Sequence, residues 1–259
     1  MVDEKVPLFV CAVGVPEKWV VDKLHAAGII VGIVVGAPNH CKNAIDANID
    51  LIIATGGEGG GHAGDISTLV LVPQCADMCR GSKAVLVGGG GVYDGRGIAA
   101  CLTLGAQGVW IGTRFISTNE ANCNLGWHTQ MLKAKSGDTI RSEIYTGRPL
   151  RCLKTKHNMD WAKREAEQRE LMKKGVIPMM KDIEDGVLDM TIFVGPLTRK
   201  YADIGKNTED GEWNDIKEDL TWNIDSDQSQ AGQAVGAVNS IIPAALVVKE
   251  MMSELVKAM

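Results

Sequence analysis

Three glycine-rich stretches hold the residues of this chain whose types and spacing could do chemistry. In the first, Thr55-Gly56-Gly57-Glu58-Gly59-Gly60-Gly61-His62, an imidazole closes a glycine run that has one carboxylate inside it. An imidazole titrates near neutrality, so His62 could abstract a proton or hydrogen-bond an anionic substrate. Glu58 is a second candidate base; equally, it could cap a nearby helix or pair with Arg96. The second stretch is Gly88-Gly89-Gly90-Gly91 and the third is Trp110-Ile111-Gly112-Thr113. Each follows an apolar, strand-like run and offers free backbone N–H groups, the usual chemistry of phosphate binding. One such loop alone is more simply a tight turn. Two on consecutive strands point to a phosphate site of the kind built at the ends of neighbouring barrel strands.

These stretches are positioned by a repeating pattern. Apolar runs at 8–14, 29–35, 51–55, 84–87 and 108–111 read as strands buried on both faces. They alternate with amphipathic segments at about 17–28, 39–47, up to 79, 94–104 and 121–133, which read as helices. Five βα units in succession imply a parallel sheet with right-handed crossovers, either doubly wound or curled into a barrel. The three glycine-rich stretches all fall at carboxyl ends of strands, where both architectures bind ligands. A Rossmann dinucleotide site is disfavoured, because the strand after Gly89-x-Gly91 ends in Gly112-Thr113 with no acidic residue. His25, His40, His128 and His157 lie in predicted helices or polar loops and read as structural or solvated.

Past residue 136 the rhythm breaks. Thr146-Gly147-Arg148-Pro149 is a turn signature, and 160–175 reads as one exposed charged helix. Residues 180–228 are polar and rich in aspartate, open to reading as a lid or an oligomer contact. A last helix is expected from about 243 to 257. The organisation is therefore a single domain over 1–259: five βα units over 1–136, a loop-rich excursion over 137–228, and a C-terminal helical segment over 229–259.

Composition narrows the function classes. A net charge of −5 and a pI near 5.6 leave no basic stripe for nucleic acid. No run approaches the ~18 consecutive apolar residues of a membrane span, and the amino end lacks a secretory pattern. Seven cysteines are an odd number, and Cys75 and Cys79 are too few and too widely spaced for a metal site. Free thiols in a reducing, cytoplasmic setting are the expectation.

Together the motifs Thr55 to His62, Gly90-Gly91-Val92-Tyr93-Asp94-Gly95-Arg96-Gly97, Leu104 to Phe115 and Thr146 to Pro149 resemble the nitronate monooxygenase family, formerly called 2-nitropropane dioxygenase. Its relatives include flavin-dependent enoyl-acyl-carrier-protein reductases. Ala231-Gly232-Gln233-Ala234-Val235-Gly236 and Pro243-Ala244-Ala245 resemble that family's carboxyl end. The resemblance implies an FMN-binding (β/α)8 TIM barrel that oxidises nitronate-like small carbon acids with molecular oxygen. It implies His62 as the catalytic residue near the flavin. It also implies FMN contacts from Thr55, Gly60, Gly61, Gly90, Gly91, Trp110, Ile111, Gly112 and Thr113. The family usually carries glutamine at the positions of Thr55 and Trp110. A closed barrel takes eight βα units, so five imply a chain lacking the first three, either a truncated product or a fragment whose missing part comes from elsewhere. Two alternatives stay open: an NAD(P)H-dependent flavin enoyl reductase, and a non-catalytic remnant that has lost flavin. A homo-oligomer is also left open.

Overall fold

The computed structural model describes residues 1–121, 123, 125–188 and 229–259. Its centre is a five-stranded parallel sheet formed by β1 (Leu8–Cys11), β2 (Ile30–Val35), β3 (Leu51–Thr55), β5 (Val85–Gly89) and β6 (Gly108–Trp110), side by side in that order. The helices between them are α1 (Lys18–Ala26), α2 (Pro38–Asp46), α3 (Thr68–Cys79) and α4 (Gly95–Thr103). All five strands and the first four helices stand where the hydrophobic pattern puts them. Right-handed crossovers between sequential neighbours place these helices on one face. There Val31, Ile33, Val35, Ile52, Ala54 and Leu86 join the main core with Leu71, Val72 and Cys75 of α3.

The opposite face is built in rows across the strands. The parallel register aligns Val10, Gly32, Leu51 and Val85 in one row, then Val34, Ile53, Val87 and Gly108, then Thr55, Gly89 and Trp110. Rows of this kind fill the interior of a (β/α)8 barrel. Here Leu8, Ile30, Val85 and Trp110 remain exposed on that face. Among the described residues the sheet does not close, and β1 and β6 are its edges.

The region after residue 136 differs from its sequence reading. Thr139–Ser142 (β7) and Leu150–Leu153 (β8) pair antiparallel, and β8 also takes the two-residue strand Gly61–His62 (β4). The charged segment is two helices, α7 (Lys156–Ala162) and α8 (Glu165–Lys173), followed by α9 (Pro178–Glu184). Thr155 caps α7 through a reciprocal pair of hydrogen bonds with Asn158, which sets the helix start ahead of the predicted one. A second small core packs Ile144, Tyr145, Leu150, Cys152 and Trp161. Buried Asp182 ties it together, accepting from Trp161 Nε1 at 2.6 Å and lying 2.7 Å from His157 Nε2. This segment is therefore organised around apolar side chains rather than being a loop-rich excursion. Residues 189–228 of the predicted polar excursion lie outside the described residues.

Thr113–Ile116 (α5) and Leu125–Lys133 (α6) follow β6, and Ala244–Ala258 (α10) closes the chain against α4. No described helix is long and apolar enough to cross a membrane. The seven cysteines are free thiols. Cys41 of α2 meets the Cys75/Cys79 side of α3, with its Sγ 4.0 Å from Cys79 Sγ. The hydrogen bond to Cys75, then burial, push the Cys41 thiol up to about 12, the chemistry of a packed thiol rather than a reactive one.

Candidate functional site

His62 stands in the wall of a cavity of about 440 Å³ at the carboxyl ends of β1, β2 and β3. Its position is fixed by the small antiparallel sheet: Gly61 pairs with Arg151 and His62 with Leu150. Two arginines of that sheet hold the loop below it. Arg151 donates Nε to the Gly57 carbonyl at 2.8 Å, and Arg141 donates to the Ala63 carbonyl while pairing with Asp65. Sequence reasoning missed both, since four-residue strands such as Leu-Arg-Cys-Leu carry almost no pattern.

His62 Nε2 lies 2.9 Å from the Thr146 hydroxyl, in the turn between β7 and β8. If Nε2–H donates to Thr146, Nδ1 is left as the lone-pair nitrogen of the neutral ring. Burial, then the charge of nearby Arg148, hold the imidazole below its ordinary pKa, so the neutral form is the resting one. A neutral imidazole with one nitrogen oriented by a hydroxyl is the arrangement a general base requires.

The same cavity receives Thr55 from the end of β3, Arg148 from the turn, and His40 and Asn43 from α2. His40 is thus not merely a solvated helix residue. Its ring borders the cavity that His62 borders, a placement that follows from the crossover after β2 and leaves no trace in the local sequence. The other histidines are structural, as read: His25 pairs with Asp50 at 2.8 Å and His128 Nε2 donates to the Ile116 carbonyl at 2.7 Å. Glu58 is a helix cap. Its carboxylate accepts from the Thr68 amide at 3.0 and 3.1 Å and from the Thr68 hydroxyl at 3.0 Å, supplying the first turn of α3 with an acceptor that Ser67 does not. Arg96 pairs with Asp94 instead.

The remaining predicted contacts lie on the far side of Glu58. Gly90 and Gly91 follow β5 with φ of +92° and +73°, a left-handed pair that only glycine adopts without strain. Gly112 begins α5 with open space above it: a Cβ there would meet nothing within 4 Å. No acceptor among the described residues takes the amides of Gly90, Gly91, Gly112 or Thr113. Such orphan donors at neighbouring strand ends fit a phosphate. The start of α4 does not contribute as the sequence suggested. Its first-turn amides already donate to Asp94 (Gly97 N, 3.0 Å) and Glu254 (Gly95 N, 2.9 Å). The Thr113 hydroxyl is also engaged, accepting from Gly232 N at 2.9 Å.

At Gly60 and Gly61 the side on which a Cβ would stand is already occupied. A Cβ on Gly60 would lie 2.7 Å from Gly232 N, and one on Gly61 2.8 Å from Gln230 Oε1. Trp110 is half exposed in the row with Thr55 and Gly89, and Ile111 turns back into the main core. The structure therefore divides the predicted residues into a cavity group (Thr55, His62), a loop group with open amides (Gly90, Gly91, Gly112, Thr113), a packing pair (Gly60, Gly61) and two residues of the β6 end.

The described residues form a parallel α/β fold with an imidazole and open loop amides at the carboxyl edge of the sheet. The nitronate monooxygenase family profile matches residues 1–257, and the chain belongs to that family of oxidoreductases. It is 38% identical over 154 residues to a protein of Mycobacterium tuberculosis named as a monooxygenase, covering 60% of this chain and 40% of that one. Against a Staphylococcus saprophyticus protein named as a nitronate monooxygenase it is 31% identical over 176 residues, covering 62% and 48%. The chain thus spans less than half the length of these relatives. In fold it resembles nitroalkane oxidase from Streptomyces ansochromogenes, with a TM-score of 0.72 at 24% identity, over 99% of this chain and 66% of that one.

Proposed function

We propose that the chain acts in the FMN-dependent oxidation of a small, nitronate-like carbon acid, with oxygen as the final electron acceptor. The observation that carries this reading is a neutral, hydroxyl-oriented His62 on a cavity at the carboxyl edge of the sheet, the same edge whose next two strands end in loops with open amides. FMN, when bound, supplies a two-electron acceptor that oxygen can reoxidise. Gly90, Gly91, Gly112 and Thr113 would hold its phosphate through backbone N–H groups. Thr55 and Trp110, which share a row of the sheet, would line the ring. Gly60 and Gly61 would support the loop that borders it.

His62 removes the acidic C–H proton of a neutral nitroalkane through its lone-pair nitrogen and hydrogen-bonds the resulting anion. The test is His62→Asn, assayed on a neutral nitroalkane with bound flavin read by its absorption spectrum. Turnover is expected to fall by about 10²–10⁴-fold with the spectrum retained; unchanged turnover overturns the role. Anaerobic bleaching of the flavin by NADH in place of nitronate would instead assign the site to enoyl reduction.

A further inference from the structure

The wall that faces His62 carries a charge the reaction as proposed does not use. Arg148 lies in the Thr146 to Pro149 turn, whose shape is set by the Thr146 hydroxyl: it accepts from Arg148 N at 3.4 Å and lies 3.3 Å from the Arg148 carbonyl. The same hydroxyl orients His62. The guanidinium is therefore delivered to the cavity by the turn that positions the base.

The titratable or charged groups in the cavity lining, among the described residues, are His40 from α2, His62 from β4, and Arg148, with no carboxylate. Among the described residues Arg148 has no ion-pair partner, whereas Arg141, Arg96, Arg164 and Arg169 each have one. The rest of the lining is largely apolar, with Val13, Val15 and Val35 on the strand side. A cation with no ion-pair partner among the described residues, in a largely apolar lining, suits a ligand with a hydrocarbon body and a compact anionic head.

We propose that Arg148 is the anion-binding residue of this cavity, selecting the deprotonated form of a carbon acid over its neutral parent. This rests on the reading of the site as one that handles carbon acids, and adds the residue that sets its charge preference. Arg148 has two effects of the same sign. It attracts an anionic head group, and it opposes a proton on His62, so the ring remains neutral when the anion arrives.

The experiment titrates the full chain, with FMN present, with propyl-1-nitronate and separately with 1-nitropropane. Binding is read from the resonances of isotope-labelled His62, which requires no turnover. The unaltered chain should bind the nitronate at least about tenfold more tightly than the nitroalkane. Arg148→Gln should remove that preference, leave nitroalkane binding within about twofold, and move the His62 titration to higher pH. Arg148→Lys, which keeps the charge and loses the fork, should recover part of the preference. Arg148 is exposed at a turn, so both variants should keep the parent unfolding midpoint. Equal losses for the two probes, no change in either, or no binding of either by the unaltered chain overturns the proposal. Failure of the oxidation reading looks different: neither probe is turned over, yet the Arg148-dependent preference persists.

Discussion

Two glycine-rich regions of this molecule look alike in sequence and serve opposite purposes. Around Gly60, the space a side chain would occupy is filled by backbone of the 231–232 segment. Around Gly112 that space is empty, and at Gly90, Gly91 and Gly112 the amides have no acceptor among the described residues. The first region uses glycine so that two pieces of the protein can touch. The second leaves its backbone open, where a phosphate is proposed. Glycine content does not separate the two; occupancy of the missing Cβ position does.

Substitutions should separate the regions in the order of that occupancy. Gly60→Val forces branched carbon against the Gly232 amide and the Ala231 carbonyl, backbone that cannot rotate away. A loss of about 3 kcal/mol or more in urea unfolding is expected; a loss below half of that would mean the 231–232 segment is free to move. Glu58→Gln tests the joint between the regions. It removes the charge from the acceptor that caps α3 and should cost about 1–2 kcal/mol in the same measurement. Gly112→Ala sits at φ −108° with nothing nearby and should change stability by no more than about 0.5 kcal/mol. Yet its methyl group stands where the phosphate is proposed, so FMN affinity by fluorescence titration should fall about tenfold. Unchanged FMN affinity would break the comparison, leaving Gly112 an ordinary turn.

The pH dependence bears on the cavity side. Depression of the His62 pKa by burial and Arg148 moves protonation of the ring to lower pH than for an ordinary histidine. Turnover of a neutral nitroalkane should therefore begin to decline at a lower pH than an unperturbed imidazole base would give. Arg148→Gln should bring the decline to higher pH, because removing a neighbouring positive charge makes the imidazolium easier to form.

The five-strand sheet was legible because each strand reads as an unbroken apolar run, even though Leu8, Ile30, Val85 and Trp110 remain exposed on one face. β7 and β8 were not, because Arg141 and Arg151 interrupt them to reach loop carbonyls, and those partners lie 78 and 94 residues away. The break between α7 and α8 was hidden in continuous charge, although Thr155 and Asn158 carried the capping signal for the first. His62 was legible from its place after a glycine run. His40, Asn43 and Arg148 were not, since only the crossover after β2 and the β7–β8 turn bring them to one cavity. The helix cap at Glu58 stood among the sequence alternatives, and geometry decided it.

The strand order carries a consequence for how the chain is made. Each strand of the large sheet pairs with one completed before it, so the sheet can grow unit by unit as synthesis proceeds. The site cannot. His62 is seated only when residues 150–151 arrive to pair with 61–62, and the Glu58 carbonyl and Thr113 hydroxyl wait for the amides of Gln233 and Gly232. A ribosome-bound chain halted after β6 should thus hold a compact sheet with an unformed pocket, and competence to bind would appear only once Gly232 and Gln233 have left the exit tunnel.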